Sequence, residues 1–420
     1  MPGITLRRPR RSNVGLLWSA ASVSALGSAI TTVVLPLVAL ESLHASVFEV
    51  GLIAALANVS WLLFGLPSGV WADLLPRRIT LVGCDLARAA ALASIPVTAV
   101  LHCLTIYQLG GAAFVVGTAS VFFDVASQSF VPEIVADSEL MSANSKISGS
   151  QQAAATAGPG VGGWMVQLVG APPALLLDVA SYVISALCLW GIRGAGRERP
   201  AQPQAEGGLA ARVLAGLRYV WHDSILRPLM LMATSFNFFG AGLGAVQVPF
   251  LLRTLHLRPG VVGMLMAVEA PGALLGTVVA RRLTDKLGSA RTVAVCVVAS
   301  PACAILMPVA GRGLGTLWFA AGFASCAMFM VVSSIVTRVY RQRFVPKEML
   351  TRVTSVNRFV SWGALPIGSV LAGAISTAIG IRPAFLLLAV AMLLITPLPF
   401  FASRLRVTRE LDSEPAAVGT

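Results

Sequence analysis

An acidic residue in the middle of a long apolar run is the feature of this chain best placed to do chemistry. Glu269 stands between Val268 and Ala270 with no basic residue within ten positions. Taking a carboxyl group out of water disfavours its charged form. A lone acid so placed can load a proton from one side of a barrier and release it to the other, or it can stay protonated and bond a neighbouring helix. Asp178, about a turn and a half into another apolar run behind Pro172-Pro173, is a second proton-coupling candidate, with helix capping or orientation as its other role. A denser group comprises Asp73, Arg77, Arg78, Asp85, Arg88 and Asp124. Asp85 and Arg88 are three apart and share a helix face. Charges inside apolar runs are costly and are functional candidates by default; here they read as a gating network or as static pairs between helices. Asn58, Trp61, Asn237, Phe238 and Gln247, polar or aromatic and mid-run, are candidate substrate contacts, whereas Met328, Phe329 and Met330 read as packing.

Other chemistries lack their residues. No His-Glu-x-x-His or nucleophile elbow occurs, so no catalytic residues are expected. An ATP cradle needs Gly-Lys, and the chain has no such pair. Gly158, Gly160 and Gly163 match a dinucleotide spacing, but they lie inside an apolar run and not in a strand-to-helix turn, so no nucleotide cofactor is expected. The six cysteines form no Cys-x-x-Cys pair, which points away from zinc and from a disulfide framework. An ion gradient is the driver left, each charge moved being worth about 2.3 kcal/mol per 100 mV.

The elements that must position these residues are membrane spans. Apolar runs recur near 14–40, 48–72, 79–101, 107–129, 146–168, 173–192, 227–252, 260–281, 291–311, 314–338, 353–378 and 383–402. Each can reach the roughly 20 residues a bilayer core demands. The amino-terminal Arg7-Arg8-Pro9-Arg10-Arg11 imitates a secretory signal, but the apolar run behind it is too long and reads as a retained first helix. The composition, 56% hydrophobic and 12% charged, suits an all-α membrane protein. Of 31 Lys and Arg, 26 fall in the two tails, in the even-numbered gaps or in the span ends that border those gaps. The positive-inside rule then puts both termini in the cytoplasm and the chain in the plasma membrane as a multi-pass protein. The net charge of +13 is dealt out gap by gap, which argues for topology over nucleic-acid binding.

The longest polar interruption, 193–226, divides the chain. It predicts a six-helix bundle over 1–192, a cytoplasmic linker with an amphipathic helix, and a second six-helix bundle over 227–420. Short repeats support duplication. Gly170-x-x-Pro173-Ala174 recurs 210 positions on as Gly380-x-x-Pro383-Ala384, and Phe130-Val131-Pro132 recurs as Phe344-Val345-Pro346. Two parallel repeats around a midplane site are the architecture of alternating-access carriers.

Gly69-Val-Trp-Ala72-Asp73-Leu-Leu-Pro76-Arg77-Arg78 resembles the signature of the major facilitator superfamily, with Leu74 and Pro76 in place of its usual basic residue and glycine. Gly158-Pro159-x-x-Gly162-Gly163 resembles that superfamily's antiporter motif. Phe122-Phe123-Asp124, Asp178-x-x-Ser181 and Arg352-Val353-x-Ser355 are similar to the branch holding macrolide and siderophore exporters. The resemblance implies twelve helices in two bundles and a latch at Gly69, Asp73, Arg77, Arg78, Asp85, Arg88 and Asp124. It also implies a bend at Gly158–Gly163 that seals the route between the bundles and marks antiport. The function expected is proton-coupled efflux of amphipathic small molecules by a monomer in the lipid bilayer, without cofactor or metal. A proton-symport importer of a metabolite and a non-transporting membrane sensor or scaffold are the alternatives.

Overall fold

The computed structural model describes residues 11–65, 76–135, 139–192, 209–406 and 411, all in helices and connecting turns with no strand among them. In chain order the long helices are α1 (Arg11–Leu37), α2 (Val47–Phe64), α3 (Arg77–Val100), α4 (Ile106–Ile134), α5 (Leu140–Val169), α6 (Leu176–Gly191), α7 (Leu209–His222) and α8 (Leu226–Pro249). They continue as α9 (Pro259–Ala267), α10 (Glu269–Leu287), α11 (Ser289–Ala304), α12 (Thr316–Phe344), α13 (Lys347–Ile379) and α14 (Ile381–Ile395).

Eleven helical segments are long and apolar enough to cross a bilayer, with α9 and α10 counted as one span. The twelfth expected span, 146–168, falls on α5, which has 30 residues but is more polar than the rest. Its first half carries Ser145, Lys146, Ser148, Ser150, Gln151 and Gln152, most of them exposed.

Backbone irregularities repeat between the halves of the chain. Pro36 and Pro249 sit at the ends of α1 and α8, where a proline cannot donate into the helical ladder. Each helix then widens into a five-residue π turn, Val38–Ser42 and Phe250–Thr254, 212 positions apart. Two residues after each turn a histidine takes a left-handed backbone, His44 at φ 50° and His256 at φ 57°. Gly170 and Gly380, at φ 87° and 91°, reverse the chain before the last long helix of each half. A capping box starts α2: Glu49 N–H donates to Ser46 Oγ at 3.2 Å, and Ser46 N–H donates to the Glu49 carboxylate at 2.6 Å.

The core is continuous at one end of the bundle and divided at the other. At the end holding residues 43–46 and 255–258, Val34, Leu37 and Leu40 share one cluster with Phe250, Leu251 and Val262. At the opposite end Leu17, Leu81, Phe130 and Ile192 form one cluster, and Val220, Leu226, Val293 and Phe400 form another. The amphipathic helix α7 belongs to the latter, with Gly216 set against the backbone of Arg352 on α13.

The joined end rests on two glycine crossings. A Cβ on Gly163 of α5 would stand 2.8 Å from Gly263 Cα of α9, and one on Gly51 of α2 would stand 2.6 Å from the Ser369 carbonyl of α13. Gly373, one turn on, lies against Phe48 in the same way, at 2.9 Å from its Cα. Arg253 adds a bond across the halves, donating to the Ala45 carbonyl at 2.6 Å. Lipid gives helices no hydrophobic reason to associate, so small residues that let backbones touch carry the contact. Gly160 on the same helix has open space around it. Gly163→Ala is therefore expected to destabilise the purified protein by about 1–3 kcal/mol, while Gly160→Ala leaves stability unchanged or slightly raised; thermal unfolding in detergent compares the two.

Candidate functional site

A cavity of about 200 Å³ lies among helices of the second half, with Asn237, Gln247, Glu269, Met307, Phe323 and Met330 in its wall. Three residues singled out in the sequence thus meet in one place, from α8 and α10. Glu269 reaches it because its span is broken. Pro271 removes a backbone donor, α9 stops at Ala267, and α10 restarts at Glu269. At the break the Val268 N–H reaches back to the Leu265 carbonyl and the Gly272 N–H to that of Val268, both long at 3.4 Å. Below it, Gly272 and Gly276 press α10 onto the backbone of α12 at Ala324 and Met328, and Phe323, Cys326 and Met330 of α12 line the same cavity as Glu269. Glu269 is exposed to this space. Asn237 donates to the Ser361 carbonyl at 3.0 Å, and Gln247 donates to Met307 Sδ at 3.7 Å. The wall is apolar and thioether-rich with a few convergent polar groups, the usual chemistry of a small-molecule site.

Asp178 has different surroundings. It is wholly buried between α1 and α6, where Thr31 Oγ1 donates to one carboxyl oxygen at 2.5 Å and Ser181 Oγ to the other at 2.8 Å. Gly27 gives the carboxyl group room, since any side chain there would collide with Asp178 and Ser181. Ser28 and Tyr182 add a hydroxyl pair at 2.9 Å. Nearby, Arg88 pairs with Asp85, both buried, and its guanidinium lies 4.3 Å and 4.4 Å from the ring centroids of Phe123 and Tyr182. Arg88 thereby links α3, α4 and α6.

The remaining candidates disperse. Gly69 and Asp73 lie outside the described residues. Arg77 opens α3. Arg78 donates to the Leu189 carbonyl at 3.2 Å and to that of Trp190, capping the end of α6 and covering the Trp190 ring at 5.1 Å. The glycine motif on α5 faces two ways: Gly158 and Gly162 meet Ala29 and Ile30 of α1, while Gly163 and the Pro159 carbonyl meet Gly263. Asn58 donates to its own helix at the Ala54 carbonyl, 2.8 Å away. Phe238 packs edge-on to Phe239 with centroids 5.1 Å apart.

Trp61 on α2 meets the edge of Trp362 on α13, centroids 4.6 Å apart and planes at 76°. Arg358 lies over both rings, at 4.2 Å and 4.4 Å. Asp124, exposed on α4, is within electrostatic reach of Arg88 and Arg358. Arg358 is one of the basic residues grouped with the gap before the run at 353–378, although it falls inside that run. The Arg358-x-x-x-Trp362 spacing, one helical turn, was the signal available. Met330, read as packing, faces the cavity.

Comparison with known proteins gives a consistent family. The family model described as transmembrane secretion effector matches residues 8–418. The chain is 26% identical to the multidrug efflux pump Tap of Mycolicibacterium fortuitum, over 96% of this chain and 98% of that one. It is 25% identical to Tap of Mycobacterium tuberculosis, over 98% of each. Among solved structures, the nucleoside transporter NupG superposes with a TM-score of 0.77 at 11% identity, over 93% of this chain and 99% of that one. A bacterial homologue of the iron transporter ferroportin, in an inward-facing state, superposes with a TM-score of 0.75 at 15% identity, covering 93% and 98%. With its many apolar helices and its carrier-like cavity, the chain belongs to the transmembrane secretion effector family of the major facilitator superfamily and is a multi-pass membrane transporter, not an enzyme.

Proposed function

We propose that this protein exports amphipathic small molecules across the plasma membrane in exchange for protons, by alternating access of two six-helix bundles (1–192 and 227–420) joined by the linker 193–226. The observation that carries the reading is Glu269, exposed in an apolar cavity at a break in its span. The Tap relatives, named as multidrug efflux pumps, support the direction of transport and the breadth of substrate. The charge bias of the gaps supports twelve spans with cytoplasmic termini. On that orientation the divided end of the core faces the cytoplasm, and the polar first half of α5 lines a wet cleft there, where it needs no lipid contact.

In this cycle substrate enters the cleft from the cytoplasm and settles against Asn237, Gln247 and the apolar wall. The bundles then rock so that the glycine crossings part, and the cavity turns outward. A proton from outside neutralises Glu269 and weakens its hold on substrate, which leaves. The protonated carrier returns and releases the proton inside. Arg78 and the Asp85–Arg88 pair keep α3, α4 and α6 moving as one body, and Asp178, with both oxygens held by hydroxyls, acts as a tie within it.

Proteoliposomes under an imposed pH gradient test the assignment. Wild type is expected to accumulate a lipophilic dye in response to the gradient, and Glu269→Gln to lose the gradient-driven component by at least about tenfold while still exchanging dye down its own gradient. Gradient-driven accumulation intact in Glu269→Gln would remove this residue from the coupling step. Asp178→Asn, by contrast, is expected to lower the melting temperature by several degrees, from loss of a buried charge-assisted bond worth about 1.5–3 kcal/mol, and to leave transport driven by the gradient.

A further inference from the structure

We propose that the corner formed by the Trp61 and Trp362 indoles, called the slot below, is a binding site for organic cations and that Arg358 is its resident stand-in. The two indoles make adjoining walls, their centroids 4.6 Å apart and their planes at 76°. The guanidinium sits 4.2 Å and 4.4 Å from the two centroids, close enough for both faces to attract its charge. Tryptophan is the strongest of the aromatic cation binders, and paired aromatic walls are how proteins hold quaternary ammonium groups.

What holds Arg358 there is not a lattice of bonds. Its Nε is buried without a hydrogen-bond partner, although buried guanidinium donors are ordinarily satisfied. A cation held by ring faces can leave without breaking directional contacts, and another cation can take its place at little cost. Asp124, exposed on α4 in the other half of the chain, is within electrostatic reach of Arg358. The slot also straddles the halves. Trp61 comes from α2, ten residues beyond Gly51, and Trp362 from α13, eleven residues before Gly373, so both lie on the side of the glycine crossing that leads to the divided end. A monovalent amphipathic cation with a delocalised or quaternary centre fits this chemistry. The slot is separate from the cavity at Glu269, to which neither indole contributes. The inference rests on the efflux reading only for calling the ligand a substrate.

Equilibrium binding of tetraphenylphosphonium to the full-length protein in lipid nanodiscs, with no gradient imposed, tests it. Removing the resident cation in Arg358→Ala is expected to tighten binding roughly three- to tenfold, whereas Arg358→Lys stays within about twofold of wild type. Trp362→Ala and Trp61→Ala are expected to weaken binding roughly three- to thirtyfold, with Trp61→Phe recovering part of the loss. Binding unchanged or weaker in Arg358→Ala would overturn the proposal, and this variant decides the matter even if a tryptophan variant fails to fold. Glu269→Gln separates the two readings. It should keep the tightening produced by Arg358→Ala whether or not it still couples transport to protons.

Discussion

Backbone contact between glycines on opposite halves of the chain is the constraint on which this structure depends. In lipid, burying apolar surface against another helix gains nothing over burying it against acyl chains. Helices that must seal against each other and later separate need a contact that is close, small in area and free of interlocking side chains. Gly163 on Gly263, and Gly51 beside Ser369 and Gly373, meet that need at one end of the bundle. The arrangement is nearly symmetric: Gly163 and Gly373 are 210 positions apart and Gly51 and Gly263 are 212 apart, the same intervals that relate the two π turns and the two chain reversals. Because the crossings are narrow, parting them gives up little contact area, which suits the alternating access proposed above.

Two acids set in apolar runs acquire different chemistry from their surroundings. Asp178 is met by Thr31 and Ser181, and Gly27 clears space for it, so its carboxyl group is fully engaged. Glu269 shares the wall of a cavity with Phe323, Cys326, Met307 and Met330. A group already satisfied by neutral hydroxyls works as a tie. One that faces a cavity with few partners can change its proton and its ligand together, which is the behaviour coupling demands. The break at Val268 matters for the same reason, since it frees the first turn of α10 to present its side chain inward.

Much of this architecture was legible in the sequence, and the parts that were not share a cause. Apolar run lengths read the helices closely: the run drawn at 79–101 corresponds to α3 at Arg77–Val100 and the run at 107–129 lies within α4. The polar gap near the midpoint was equally plain. Helix rotation was not, because in lipid an apolar residue is acceptable on every face and periodicity carries little information. Asn237, Gln247 and Glu269 turn into one cavity, while Asn58 bonds its own helix and Phe238 packs on Phe239. Met330 faces the cavity although its neighbours Met328 and Phe329 contact other helices. Arg358 escaped notice because charge counting by gap groups it with the basic residues before the run at 353–378. Only its distance to two indoles reveals where its charge goes.

The central claim of the proposed cycle is that the cavity bearing Glu269 is reached from the cytoplasm in one state and from the outside in another. Met330 is exposed on its wall, and a single cysteine placed there in a background lacking the six native cysteines would report which side reaches it. With a small membrane-impermeant thiol reagent and no substrate or gradient, labelling is expected to be several-fold faster in inside-out vesicles than in right-side-out ones. An outward pH drop should raise the rate from the outside. Labelling that is fast from the outside alone, or that never responds to the gradient, would contradict the account.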